Sequence, residues 1–161
     1  MARFLIFGST GQLGRALGRA EWGRGTELVF LDRAAADFSA PKGLAAIVRE
    51  RRPDAVIVAA AYTAVDRAEG EEGLATRINA QAPGVIAAAA AERNVPIVAF
   101  STDYVFDGTK SGRYVETDAV HPLSAYGRSK LAGEQSVRAA NPRHAIFRTS
   151  WVYSPDGTKF L

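Results

Sequence analysis

The chain has no cysteine among its 161 residues. Disulfides, thiolate metal sites and cysteine nucleophiles are thereby excluded, and a reducing compartment fits the composition. Histidine is almost as scarce. His121 precedes Pro122 in a loop without a partner at metal-ligand spacing, and His144 opens a strand as a capping or surface residue, so no metal site is read. Long apolar runs are also lacking. The start MARFLIFGSTGQLG passes from a short apolar run straight into glycines. It is too short for a membrane span and lacks the cleavage pattern of a signal peptide. VIAAAAAERNVPIVAF is broken by charge and proline. Basic residues form no block: the net charge of +3 is spread along the chain, which suits an anionic small molecule and offers no footprint for nucleic acid. The expectation is a cytoplasmic protein with neither a nucleic-acid nor a membrane partner.

Short apolar runs alternate with helical patterns. RFLIFG, TELVFLD, DAVIVAAA, VPIVAFST and HAIFRTSWVY read as strands. GQLGRALGRAEW, PKGLAAIVRERR, GLATRINAQAPGVIAAAAAERN (interrupted near Pro83) and SAYGRSKLAGEQSVRAA read as helices, the last with Ser124 as N-cap. Trp22 is expected to pack at a helix end, and Asp66, Glu69, Glu71 and Glu72 to form a solvated acidic turn. Strands apolar on both faces, alternating with helices, demand a parallel sheet covered on both sides. The fold class is α/β, a doubly wound parallel sheet of Rossmann type, one domain over residues 1–161. Ligands of such sheets bind beyond the carboxyl ends of the strands.

GSTGQLG places Gly8, Gly11 and Gly14 between a strand and a helix. There the first glycine makes the turn, the second lets a pyrophosphate approach the backbone, and the third lets helix and strand pack closely. Thr10, Gln12 and Leu13 lie on the same turn, at a helix N-terminus that favours phosphate. Asp32 ends the second strand, where a ribose-hydroxyl acceptor belongs. A carboxylate there favours NADH, whereas the neighbouring Arg33 could hold the extra phosphate of NADPH. Asp37 and Phe38 either flank the adenine or serve as an N-cap and a core aromatic. Thr102 and Asp103 emerge where the fourth strand ends, and the helix bearing Tyr126 and Lys130 begins shortly afterwards. Residues four apart share a helix face. A neighbouring ammonium would lower the phenol from its usual value of about 10 and make it a usable acid or base. A Thr102 hydroxyl could orient the same substrate oxygen.

Taken together, GSTGQLG, STDYVFDG, YGRSK and FRTSWVY resemble the extended short-chain dehydrogenase/reductase superfamily, and within it the dTDP-4-dehydrorhamnose reductases. AAAYTAVDRAE and DFSAPKG fit the same family. The resemblance implies hydride transfer from NADPH or NADH to the C4 ketone of dTDP-4-dehydro-L-rhamnose, with Tyr126 as proton donor. It implies that Lys130 holds the nicotinamide ribose and that Thr102 stands in for the superfamily's usual serine. By the same resemblance Thr102, Asp103 and Trp151 contact the sugar nucleotide, and Ala61, Tyr62, Thr63 and Phe100 contact the cofactor, although family members often carry histidine where Tyr62 stands. Asn79 is balanced between a helix-to-loop hydrogen bond and a functional role. Magnesium occurs in some relatives, but no residue localises it here. A homodimer is compatible with the family.

Family members are about twice as long. The smaller C-terminal substrate domain is therefore expected to be largely absent, leaving a chain that binds nicotinamide nucleotide but turns over sugar nucleotide poorly. Two other readings stand beside this one. One is a non-catalytic regulatory subunit like that of methionine adenosyltransferase, against which the intact catalytic set weighs. The other is a different sugar-nucleotide reductase or epimerase of the superfamily. Tyr104 after the Thr-Asp pair, where dehydratases often carry glutamate, leans away from dehydration.

Overall fold

Apolar runs lacking polar alternation need cover on both faces. In the computed structural model, which describes residues 1–154, they form five parallel strands: β1 (Ala2–Phe7), β2 (Thr26–Leu31), β3 (Ala55–Val58), β4 (Ile97–Thr102) and β5 (His144–Thr149). The sheet order is β2-β1-β3-β4-β5. Phe7 stands beside Leu31 on one side and Val58 on the other, and Thr102 beside Thr149. The order reverses at β1, so the chain leaves β1 and β3 in opposite directions and opens a crevice over their carboxyl ends.

Six α-helices connect the strands among the described residues: α1 (Gln12–Arg19), α2 (Leu44–Arg51), α3 (Val65–Ala68), α4 (Glu72–Thr76), α5 (Ala82–Ala91) and α6 (Ala125–Ala140). The main core joins Leu5, Phe7, Val56, Val58, Ile97 and Ala99 to α2, α5 and α6 through Leu44, Val48, Ile86 and Val137. The other face is covered differently from expectation. There α1 packs over β1 and β2, with Gly18 against Phe30 and the Trp22 ring tilted against Phe4 with centroids 5.1 Å apart. On β5, by contrast, Ala145 and Phe147 are exposed. Both crossovers after β3 run on the α5–α6 side, so β5 has helical cover on one face only.

Pro41 starts a 3₁₀ turn before α2, and Arg52 ends that helix in the left-handed conformation, with φ of 46°. The interruption expected near Pro83 is a π-helical turn over Arg77–Gln81. Proline has no N–H to return to the Asn79 carbonyl. Gly133 of α6 comes in against that carbonyl, where a Cβ would sit 2.1 Å from it. No helix among the described residues is long and apolar enough to cross a membrane.

Candidate active site

The crevice is an open cleft of about 740 Å³, within the range of small-molecule sites. Its floor is the glycine loop. Gly8 has φ of +95°, and a Cβ there would lie 2.6 Å from the Ala60 nitrogen. A Cβ on Gly14 would lie 2.1 Å from the Gly8 carbonyl. Both glycines are demanded by the protein's own packing, and Gly14 is buried beneath the loop, away from the cleft. Gly11 differs: a Cβ there would meet only the Gly8 carbonyl, at 3.6 Å. Ordinary contact does not require glycine, so the room at Gly11 is left for something outside the chain. Thr10, Gln12 and Leu13 line the cleft beside it, at the start of α1. This arrangement fits a dinucleotide pyrophosphate on a helix N-terminus.

Asp32 and Arg33 reach the cleft from the end of β2. Asp32 Oδ1 accepts the Ala35 N–H at 2.9 Å, and Arg33 lies 3.8 Å from Asp37 with its side chain 81% exposed. Asp37 closes a turn by accepting the Ser39 N–H and hydroxyl at 2.9 and 2.8 Å, which hold its carboxyl below the usual range. Phe38 packs on Phe7 with ring centroids 5.7 Å apart. Turn and core contact therefore describe this pair, although both also edge the cleft.

Ala61 and Thr63 line the cleft after β3, and Phe100 lines it from β4. Tyr62 does not. Its hydroxyl donates to Glu71 Oε2 at 2.6 Å, and its backbone is held by the Asn79 side chain at 2.9 and 3.0 Å. Asn79 also donates to Ser129 Oγ at 2.9 Å. It makes the helix-to-loop bond, tying the π turn to both the β3 loop and α6.

Each residue of YGRSK has a traceable place. Ser124 caps α6 by accepting the Gly127 N–H at 3.0 Å. Gly127 lies against the turn after β4, where a Cβ would be 2.3 Å from the Tyr104 carbonyl. Arg128 pairs with Glu72 at 2.9 Å. Ser129 donates to the Tyr126 carbonyl at 2.7 Å. The acidic turn is not merely solvated, since Glu69 Oε1 also accepts the Ala125 N–H at 2.8 Å and so helps to fix the start of α6. Tyr126 thereby lines the cleft together with Thr102, and its ring meets Tyr104 edge-on at 5.6 Å.

The electrostatics correct the expectation drawn from spacing alone. Burial raises the Tyr126 pKa above its ordinary value, partly offset by the Thr102 hydrogen bond. Lys130 is 9% exposed and donates to the Phe100 carbonyl at 2.6 Å. Burial brings its own pKa down to about 8, against an opposing pull from Glu134. The phenol is thus a neutral acid at pH 7. The ammonium is held on β4 and does not depress the phenol.

Thr102 Oγ1 donates to Asp103 Oδ1 at 3.0 Å, and Ser150 Oγ donates to Asp103 Oδ2 at 2.6 Å. Trp151 lines the outer end of the cleft, 73% exposed and with φ of 52°. Among the described residues no three His, Cys, Asp or Glu side chains form a group that could hold a metal ion. Sequence reasoning did not single out Glu134 and Arg148. Glu134 stands four residues after Lys130, the same spacing that flagged Tyr126.

The family model described as RmlD substrate binding domain matches residues 2–161. A dTDP-4-dehydrorhamnose reductase of Salmonella typhimurium is 49% identical over 160 residues, covering 97% of this chain and 53% of that protein. Among solved structures, a dTDP-4-dehydrorhamnose reductase of Clostridium acetobutylicum superposes with a TM-score of 0.94 at 42% identity, over 98% of this chain and 56% of that one. The Bacillus anthracis dTDP-4-dehydrorhamnose reductase, solved in complex with NADP, gives a TM-score of 0.94 at 37% identity, over 99% and 57%. The chain spans about half the length of the curated relatives it matches.

Proposed function

We infer the reaction from the premise that this chain belongs to the RmlD family, the dTDP-4-dehydrorhamnose reductases. The proposal is NADPH- or NADH-dependent reduction of the 4-keto group of dTDP-4-dehydro-L-rhamnose. The observation that carries it is a half-buried phenol lining, with Thr102 and Lys130, the same cleft as a glycine loop with room to spare at Gly11.

The nicotinamide, when bound, supplies the hydride. Everything else falls to this chain. Gly11, Gln12 and Leu13 receive the pyrophosphate, and Asp32 or Arg33 the adenosine ribose. Ala61, Thr63 and Phe100 bound the site between the two ends. Thr102 directs the ketone oxygen toward Tyr126. As the carbonyl carbon gains the hydride, its oxygen takes the Tyr126 hydroxyl proton, giving a hydroxyl and a phenolate that solvent reprotonates. Burial favours the neutral phenol, which suits a donor in the direction of reduction. Lys130, positioned on Phe100, places its charge where the nicotinamide ribose would lie. Asp103 and Trp151 face the sugar nucleotide from the outer end of the cleft.

The test has two arms: cofactor binding by calorimetry, and NADPH oxidation dependent on dTDP-4-dehydro-L-rhamnose. Tyr126→Phe should lower the oxidation rate about 10²- to 10⁴-fold and leave cofactor binding intact. Oxidation that continues undiminished in Tyr126→Phe removes the phenol from the reaction, and failure of both NADPH and NADH to bind removes the reading altogether.

A further inference from the structure

Beside the cleft lies a small, partly open cavity of about 20 Å³, lined by Lys130 and Glu134 together with Asn79, Pro83 and Ile146. It has room for a single water. Glu134 follows Lys130 by one helical turn of α6, and its side chain is 2% exposed. Arg148 of β5 reaches it with two hydrogen bonds, at 2.8 and 2.7 Å, and Arg138 with a third at 3.3 Å. One carboxylate thus pairs with two arginines and shares a cavity wall with a third cation, the buried Lys130.

We propose that Glu134 is a positioning residue for Lys130: anchored by Arg148 and Arg138, its carboxylate is the buried counter-charge that keeps the Lys130 ammonium protonated beside the cleft. Among the described residues, the groups facing Lys130 leave no other candidate of that sign at the same depth. On its own helix stand Tyr126, neutral at pH 7, and Arg138. From β5 comes Arg148. After β4 come Tyr104 and Asp103, both exposed, with Asp103 engaged by Thr102 and Ser150. β3 and the π turn offer Val58, Ala60 and Asn79, none titratable. An ammonium in such a place is driven toward the neutral amine by burial, and a carboxylate one helical turn away on the wall of the same cavity reverses part of that drive. The direction of each effect on Lys130 agrees, with burial lowering its pKa and Glu134 raising it. Loss of Glu134 would act twice, because it removes the counter-charge and leaves Arg148 as an uncompensated cation nearby. The consequence for hydride transfer rests on the reductase reading, in which this ammonium lies beside the phenolate that forms. The charge itself is measurable without any turnover.

The chain has only four lysines, Lys42, Lys110, Lys130 and Lys159, so lysine labelled at Cε gives a spectrum simple enough to follow by NMR. Lys130→Arg assigns the signal. In the unmodified chain the Lys130 midpoint should lie near 8, well below its ordinary value of 10.5. Glu134→Gln should lower it by about 1 pH unit or more, and Glu134→Asp should restore part of the shift. Arg148→Met, which frees Glu134 from its competing cation, should raise it. A purely structural salt bridge would alter melting temperature but would not move the midpoint in opposite directions in the two variants. A folded Glu134→Gln protein with an unmoved Lys130 midpoint overturns the proposal. Should Glu134→Gln lose its far-ultraviolet dichroism, an unmoved or lowered midpoint in Arg148→Met overturns it equally. Opposite shifts combined with Tyr126-independent oxidation of NADPH would leave this inference standing and remove the reductase reading.

Discussion

The two sides of the cleft are built by different physical means. On the glycine-loop side, main chain does the work. Gly8 and Gly14 let the loop, Ala60 and α1 approach within distances that no Cβ permits, and the helix start offers N–H groups to an anion. On the α6 side, buried side chains do it: Tyr126 on Thr102, Lys130 on Phe100, and Glu134 on Arg148. The first side is close-packed main chain and needs no charge of its own. The second depends on which protonation state each group keeps in a dry setting, so it should respond to pH and to isosteric changes that the first would ignore.

The largest expected effect lies on the α6 side. Tyr126→Phe removes one oxygen and no packing. It should lower the reductase rate about 10²- to 10⁴-fold, as for loss of a general acid, with urea stability and cofactor affinity unchanged. A proportional fall in cofactor affinity would mean that the phenol belongs to binding and would break the distinction between the two sides. Next comes Gly8→Ala, on the other side. Its Cβ would press on the Ala60 nitrogen from a backbone with positive φ. A loss of about 3 kcal/mol in urea unfolding is expected. Retained stability would mean that the loop can shift and that its main-chain geometry is less exacting than described.

The same difference decides what could be read from the residues alone. The strand and helix order and the roles of Gly8 and Gly14 were legible because each rests on local pattern, as was the Ser124 cap. Apolar period, glycine spacing and capping chemistry all act within a few residues. The Tyr126–Lys130 pairing was legible as geometry. Its electrostatics were not, because the raised phenol and the lowered ammonium come from burial against segments remote in sequence, Tyr126 beside α3, α4 and Tyr104 and Lys130 beside β4 and β5. Tyr62 shows the same limit: a position at a strand end says where the backbone goes, and Glu71 decides where the ring goes. The half-open face of β5 was missed because residues apolar in composition, such as Ala145 and Phe147, carry no mark of which crossover side the helices take.

A third prediction uses pH to separate the two sides. The folded pKa of Lys130 is near 8, below its ordinary value of 10.5. Between these values the unfolded chain binds a proton that the folded chain has released. Stability should therefore rise with pH across this window, by at most about 1.4 kcal/mol per pH unit for one full proton. Below pH 8 both states are protonated and the contribution is flat. The rise should vanish in Lys130→Met, measured by urea midpoints at several pH values, and should persist in Gly11→Ala. A slope that survives in Lys130→Met assigns the titration to another group.

The smallest effect tests the finest point of the comparison, the difference among the three glycines. Gly11 adopts φ of −74° and ψ of 166°, values open to any residue, and a Cβ there would meet the Gly8 carbonyl at ordinary contact distance. The folded chain has no need of glycine at this point, so Gly11→Ala should leave urea stability within about 0.5 kcal/mol of the parent. Backbone-to-pyrophosphate contact has no such slack, because a methyl group set between the loop and the phosphate lengthens N–H to oxygen distances and excludes part of the ligand. Affinity for NADPH and NADH should then fall about tenfold, equivalent to about 1.4 kcal/mol. The fall should be of similar size for both cofactors, since they share the pyrophosphate and differ only at the ribose near Asp32 and Arg33. Unequal losses would place the methyl near the adenosine end and shift the loop's role from the diphosphate to the ribose. Unchanged affinity would show that the space at Gly11 serves no ligand.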